Sequence, residues 1–128
     1  MVLAEIVHAH LPRVGADATI RDAVDMMDIY QFPGLVISDG EGRALGVLTE
    51  GDICRAIQQQ SGLMPLAGEP ALKFATKEPI SATLEMEVSD ALHLMLSRGI
   101  TILPVMNGPH LAGIVLRVDL MQAMMSDL

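Results

Sequence analysis

The chain has 128 residues, of which 51% are apolar, and 16 acidic against 8 basic side chains give it a formal net charge of −8. This length suits one domain of ordinary size or two very small ones. Acidity and a scarcity of aromatic residues (one Tyr, two Phe, no Trp) argue against a nucleic-acid partner, which needs cations and stacking surfaces. The single cysteine excludes an internal disulfide and a cysteine zinc cluster, and it is consistent with a reducing compartment.

The first residues do not have the pattern that predicts an export signal. Residues 1–5 read MVLAE, with no basic region ahead of a long apolar core, so a secretory signal is not expected. We therefore predict a cytoplasmic protein.

The first half of the chain changes its apolar spacing in a definite order, from a helical to a strand period and back. Glycines in its central turn accept the positive φ that tight hairpins require. The predicted elements are a helix with the apolar stripe Ile20, Ala23, Val24 and Met27, a strand Leu35 to Ser38, a turn at 39–42, a strand Ala44 to Leu48, and a helix from about Asp52 that carries Ile53, Ala56 and Ile57.

Residues 58–77 are less regular. They include Gly62, Pro65, Gly68 and Pro70, which interrupt periodic structure. We predict a linker here.

The second half repeats the order of the first. Its predicted elements are a helix with Val88, Ala91, Leu92 and Met95, a strand Ile102 to Met106, a turn at 107–109, a strand Leu111 to Leu116, and a helix from about Val118 that carries Leu120, Met121 and Met124. The stretch from Gly99 to Leu116 lacks charged residues and approaches membrane-spanning length. Because Pro104 and the turn at 107–109 would break a membrane helix, we predict two buried strands and no membrane span.

The two halves are duplicates. Asp22-Ala23-Val24 and Asp90-Ala91-Leu92 match at an offset of 68, and the shorter second turn then reduces the offset to 67, so that Asp52 matches Asp119. The predicted domains are residues 1–62 and 63–128. The fold class is α+β, with two β-α-β-β-α repeats expected to pack sheet against sheet with pseudo-twofold symmetry.

The sharpest local pattern is Thr49-Glu50-Gly51-Asp52, where a strand runs into a helix. A purely structural interpretation is a capping box, in which Asp52 and Thr49 satisfy free backbone N–H groups. A functional interpretation uses the same geometry, because a helix N-terminus suits a phosphate and a carboxylate can accept both hydroxyls of a ribose. The two are compatible, since one carboxylate has two oxygens.

The duplicated series, with Pro79-Ile80, Val88-x-Asp90-Ala91, the segment 99–105 and Gly46-Val47-Leu48-Thr49-x-x-Asp52, resembles the cystathionine β-synthase (CBS) domain. Two copies in tandem are similar to a Bateman module. The resemblance covers nearly the whole chain. It implies a regulatory homodimer that binds an adenosine-containing ligand such as AMP, ADP, ATP, NAD or S-adenosylmethionine in clefts between the repeats.

The resemblance implies two composite clefts. In the first, Asp52 would hold the ribose hydroxyls, Thr49 a ribose or phosphate oxygen, and the second repeat the adenine. The second departs from the family pattern, because Leu116 replaces the threonine and Val36 stands where the other copy has Pro104. The first cleft would combine Thr49, Asp52, Pro79, Ile80, Ile100, Thr101 and Ile102, and the second would combine Leu11, Pro12, Phe32, Pro33, Gly34, Arg117 and Asp119.

The number of arginines beside each predicted cleft indicates how many phosphates its ligand carries. Arg55 is the one obvious cation beside the first cleft, which favours AMP over a triphosphate, while Arg13 and Arg117 flank the second cleft and Arg98 could reach either. Long basic side chains are more often solvated or paired than bound to ligand.

Other reactive residues have structural interpretations. His8 and His10 have the spacing of two metal ligands on a strand, but no metal site is predicted. Cys54 is predicted to lie in the core, and Met121, Met124 and Met125 are either core residues or an association surface.

No residue set supports catalysis, so we expect a regulatory protein that requires no cofactor, contains no catalytic residue and acts on an unidentified partner protein. The alternative is a ligand-free scaffold for dimerisation or docking, in which Thr49 and Asp52 only cap a helix. The chain ends match the repeat ends, although a segment of a longer regulator would look the same.

Overall fold

The computed structural model describes residues 1–59 and 63–126. Gly62 and the predicted boundary at residue 62 lie outside the described residues. In the described part the chain is α+β, as predicted. Its strands are β1 (Arg13–Val14), β2 (Gly34–Ser38), β3 (Ala44–Thr49), β4 (Ala82–Thr83), β5 (Ile102–Asn107) and β6 (His110–Leu116), and its helices are α1 (Ile20–Tyr30), α2 (Glu50–Gln59), α3 (Leu63–Ala67), α4 (Val88–Arg98) and α5 (Arg117–Ser126).

The strands form two three-stranded sheets with the same topology. In the sheets β1-β2-β3 and β4-β5-β6, the first two strands are parallel and the last two form an antiparallel hairpin. The register pairs Gly34 with Thr49 in one sheet and Ile102 with Leu116 in the other. The duplication is therefore confirmed, as are the two strands predicted between Gly99 and Leu116.

The chain divides into two compact units whose bounds differ from the predicted domains. The first unit comprises Pro12–Pro79, and the second comprises Met1–Leu11 together with Ile80–Leu128. Each unit thus contains the short 3₁₀ turn that precedes the other repeat, Ala71–Lys73 in the first and Leu3–Glu5 in the second. The expectation that the two sheets pack together stays a prediction.

Burial explains why each 3₁₀ turn lies in the unit of the repeat that it does not precede. Leu3 is fully buried among the apolar side chains of the second unit, whereas Leu66 and Ala71 are fully buried in the core of the first. Residues predicted to be a linker therefore include part of a hydrophobic core. Glycine and proline correctly indicated interrupted structure there but carried no information about its burial.

The helical stripes are mostly confirmed. Their buried members include Ile20, Ala23 and Met27 on α1, Ile53 and Ala56 on α2, Val88, Ala91 and Met95 on α4, and Leu120 on α5. Val24 and Ile57 were expected in the stripe but are exposed. Met121, Met124 and Met125 are exposed as well, which decides between the two interpretations of these methionines against the core.

Candidate functional site

A reciprocal pair of hydrogen bonds joins the end of β3 to the first turn of α2. The backbone N–H of Thr49 donates to Asp52 Oδ2 at 3.0 Å, and the backbone N–H of Asp52 donates to Thr49 Oγ1 at 3.3 Å. The predicted capping box is therefore confirmed. It uses one oxygen of a side chain that is only 13% exposed and directs the other, Oδ1, away from the cap.

The second oxygen of Asp52 contacts Arg55. The guanidinium Nη2 donates to Asp52 Oδ1 at 2.6 Å, while the arginine side chain remains 65% exposed. Arg55 also lies beside the start of the helix, because a Cβ added to Gly51 would be 3.3 Å from Arg55 Nη1. A half-buried carboxylate, an exposed cation and the positive end of a helix dipole thus lie within one turn, which suits a ligand with both hydroxyl and phosphate groups.

The matching carboxylate of the second repeat has different surroundings. The backbone N–H of Leu116 donates to Asp119 Oδ2 at 2.7 Å, but Leu116 has no hydroxyl to return the bond, so half of the capping box is absent. His8 Nε2 lies 2.9 Å from the same oxygen, within ion-pair distance, and this nitrogen is shielded from solvent. Sequence reasoning missed this contact of His8, because it lies 111 positions before Asp119 and only the fold brings the two together.

Arg117 contacts the end of a neighbouring helix. Its Nε donates to the Ile100 carbonyl at 2.9 Å and its Nη2 to the Met95 carbonyl at 3.2 Å. These acceptors lie in the last turn of α4 and just beyond it, where the negative end of the helix dipole favours a cation. The guanidinium that was expected to flank the second cleft thus bonds to backbone carbonyls of its own unit.

The other residues assigned to the first cleft are divided between the units. Pro79 lies in the first unit with Thr49 and Asp52, whereas Ile80 and residues 100–102 lie in the second. Ile80 and Thr101 are exposed, Ile100 is half-buried and Ile102 is buried in β5. Their convergence on one ligand stays a prediction.

The residues assigned to the second cleft are also divided. Leu11, Arg117 and Asp119 belong to the second unit, and Pro12, Phe32, Pro33 and Gly34 belong to the first. Two backbone carbonyls of this set are already bonded, since Pro12 accepts from the Val36 N–H at 3.3 Å and Pro33 accepts from the Glu50 N–H at 2.9 Å. Their convergence on one ligand likewise stays a prediction.

A groove of about 350 Å³ separates α1 from α2 within the first unit. Cys54 lies on its wall and is exposed, so the prediction that this thiol is a core residue was wrong. The buried face of α2 is formed by Ile53 and Ala56, and the thiol falls just outside that stripe. The rest of the wall consists of Val24, Met27, Asp28, Gln31, Phe32, Glu50 and Ile53.

Residues 1–59 and 63–126 contain no group of three or more His, Cys, Asp or Glu side chains arranged to hold a metal ion. In the same part of the chain, no helix combines the length and apolar character needed to cross a membrane.

The comparisons with known proteins agree on one family. The CBS domain model matches residues 3–59 and 71–126. An uncharacterized 17.7 kDa protein of Acidianus ambivalens is 34% identical over 114 residues, which are 88% of this chain and 66% of that protein. The chain spans 22% and 33% of the next two curated relatives, and the longer relatives include enzymes.

Two solved structures share the fold. The protein CBSX2 in complex with AMP superposes with a TM-score of 0.85 at 20% identity, over 98% of this chain and 97% of that one. The CBS domain pair of the protein MJ0100, in complex with 5′-methylthioadenosine and S-adenosyl-L-methionine, superposes with a TM-score of 0.86 at 19% identity, over 100% and 98% of the two chains.

Proposed function

The chain belongs to the CBS domain family, and on that premise we propose that it is a regulatory module, without catalytic activity of its own, that binds an adenine nucleotide at the start of α2. The observation that carries the proposal is the arrangement of Asp52, Thr49 and Arg55 within one helical turn. The AMP complex of CBSX2 and the methylthioadenosine and S-adenosylmethionine complex of MJ0100 support an adenosine-containing ligand.

The ribose is assigned to Asp52. Its Oδ1 is bonded to an exposed arginine, and an exposed ion pair contributes only about 0–1 kcal/mol, so exchanging the arginine for ribose hydroxyls costs little. The displaced guanidinium can turn to a phosphate, which it recognises in the same two-pronged way as a carboxylate. Thr49 Oγ1 lies on the same turn and can donate its own proton to a ligand oxygen.

Charge favours AMP among the candidates. One arginine beside Asp52 balances a single phosphate better than three, and the chain as a whole carries a net charge of −8 that repels polyanions. The adenine is assigned to the remaining residues of the predicted cleft, Pro79, Ile80, Ile100, Thr101 and Ile102.

Signalling follows from differential binding. A ligand that binds one arrangement of the module more tightly than another shifts the population toward it, and a partner protein can distinguish the two. A cytoplasmic location and an unidentified regulated protein complete this proposal.

A homodimer is proposed as the working assembly. Apolar side chains remain exposed on the helices of both units, including Val24 and Ile57 in the first and Met121, Met124 and Met125 in the second. Light scattering should give about twice the chain mass of 13.7 kDa, and a monomer at working concentration would contradict the dimer.

A thermal-shift panel tests ligand binding against the alternative of a ligand-free scaffold. AMP, ADP, ATP, NAD and S-adenosylmethionine are tested separately on the wild-type chain and on Asp52→Ala. A ligand at 100 times its Kd stabilises the folded chain by about 2.7 kcal/mol, which for a chain of this size raises Tm by about 10 °C. A shift that the variant loses supports a sensor, and no shift with any ligand supports the scaffold.

A further inference from the structure

The two repeats differ in the residue that begins the helix after each hairpin. The paired strands of the hairpins end at Thr49 and at Leu116, so Glu50 and Arg117, which come next, occupy the same position. Glu50 is the first residue of α2, and Arg117 is the first residue of α5. The first repeat therefore has an acidic side chain where the second has a basic one.

Arg117 joins the start of α5 to the end of α4. Its guanidinium donates to the carbonyls of Met95 and Ile100, and its side chain is half-buried. The negative end of the α4 dipole favours a cation at this place. In the second unit, the chain thus supplies that cation itself.

The end of α1 has the same backbone geometry as the end of α4. The residues that follow the two helices, Gln31 and Gly99, both have a left-handed φ, 56° and 65°. The next N–H then donates to a carbonyl five residues back, from Phe32 to Met27 in the first unit and between the corresponding residues in the second. The end of α1 therefore presents its carbonyls as the end of α4 presents them to Arg117.

The groove between α1 and α2 lies at this end of α1. Its lining includes Met27 and Phe32, the counterparts of the residues that accept from Arg117, and the carboxylates of Asp28 and Glu50. Among the described residues that line the groove, two are acidic and none is basic. The carboxylates and the helix dipole favour a cation, while the apolar side chains of the lining suit the aliphatic stem of an arginine.

We propose that this groove is a docking site for a partner protein, which inserts an arginine from an apolar segment at the position that Arg117 has in the second unit. The guanidinium pairs with Asp28 and Glu50, and arginine is the cation whose planar fork suits carboxylates. Val24 on the groove wall and Ile57 farther along α2 are 41% and 42% exposed, so apolar neighbours of that arginine can also be buried.

A second copy of the chain is a poorer source of the arginine. Each copy carries a net charge of −8, so two copies repel each other. Arg21, Arg43 and Arg55 already pair with acidic side chains of their own chain, and Arg117 is bonded to carbonyls. The proposal concerns the partner and does not depend on nucleotide binding.

Calorimetric titration with two short peptides tests the proposal. Both consist of leucine, alanine and glutamine around one central residue, which is arginine in the first and citrulline, its neutral analogue of the same shape, in the second. We expect the arginine peptide to bind the wild-type chain at least about tenfold more tightly than the citrulline peptide, which is the loss of one charged hydrogen bond.

Two variants with the same change of charge locate the binding. Glu50→Arg gives the first repeat the residue of the second, so its own guanidinium occupies the groove and the arginine peptide should bind at least about tenfold more weakly. The matched control is Glu41→Arg, which changes an exposed glutamate of the β2–β3 turn and should keep the wild-type affinity within about twofold. If Glu50→Arg does not fold, Glu50→Gln provides the same comparison with a smaller loss.

Four results would overturn the proposal: no binding of the arginine peptide, equal binding of the two peptides, undiminished binding to the Glu50 variant, or an equal loss in Glu41→Arg. Light scattering on the same chains tests the other occupant. A dimer that Glu50→Arg dissociates would assign the groove to a second copy and overturn the proposal as well. AMP is absent from these titrations, so a failure of nucleotide binding at Asp52 leaves their outcome unchanged.

Discussion

Asp52 combines two tasks that substitution can separate. Asp52→Ala removes the acceptor of the Thr49 N–H and the partner of Arg55, which costs one helix cap, about 1 kcal/mol of folding free energy, or about 4 °C in Tm for 128 residues. The same change removes the charged acceptor of two hydrogen bonds that the ribose hydroxyls would donate. At about 1.5 kcal/mol each, their loss weakens nucleotide binding about 100-fold.

The matched variant is Asp52→Asn, whose amide oxygen still accepts from the Thr49 N–H but carries no charge. We expect its Tm to stay closer to that of the wild type while its affinity, measured by calorimetry with AMP, falls toward that of Asp52→Ala. If Asp52→Ala lowers Tm but binds AMP within about threefold of the wild type, the carboxylate only caps α2 and the assignment of the ribose is wrong.

Three further predictions concern the second unit and the groove. Gly113→Ala forces the His8 segment off β6, because the added Cβ would clash with the His8 carbonyl. The overpacking and the loss of two backbone hydrogen bonds should lower the free energy of unfolding, measured by urea titration, by about 2–4 kcal/mol. The control Gly40→Ala, where an added Cβ has nothing within 4 Å, should change it by less than about 0.5 kcal/mol. Arg117→Gln loses a charged donor to the carbonyls that end α4 and should cost about 1–3 kcal/mol of stability; unchanged AMP affinity would support its structural role, and a loss confined to affinity would contradict it. Cys54 should react fully with a thiol reagent without denaturant because it is exposed, and a reaction that begins only on unfolding would refute its place on the groove wall.

Most of the fold could be predicted from the sequence, because local periodicity is caused by the face that each element buries. The order of helix, hairpin and helix was correctly predicted in both halves, and the observed hairpin strands extend the predicted ones by about one residue at their ends. The capping box was predictable for the same reason, since Thr49 and Asp52 are three residues apart and bond to each other within one helical turn.

The predictions that failed depended on burial rather than on period. Cys54 lies one residue after buried Ile53, and only the packing of α2 decided that it lines a groove. The predicted linker, residues 58–77, contains glycines and prolines that interrupt regular structure, yet Leu66 and Ala71 within it are part of the core of the first unit. Glycine and proline indicate where the regular backbone is interrupted, but they do not indicate which surface the segment packs against.

The sequence by itself determined the duplication, the α+β class and the paired aspartates, since all of these are encoded in short-range spacing that repeats along the chain. Only the tertiary structure decided which partner each aspartate has. His8 reaches Asp119 because the first eleven residues belong to the second unit, and Arg117 turns to the end of α4 because that helix lies beside it. Contacts between residues far apart in sequence depend on the packing of whole elements, and no local pattern contains that information.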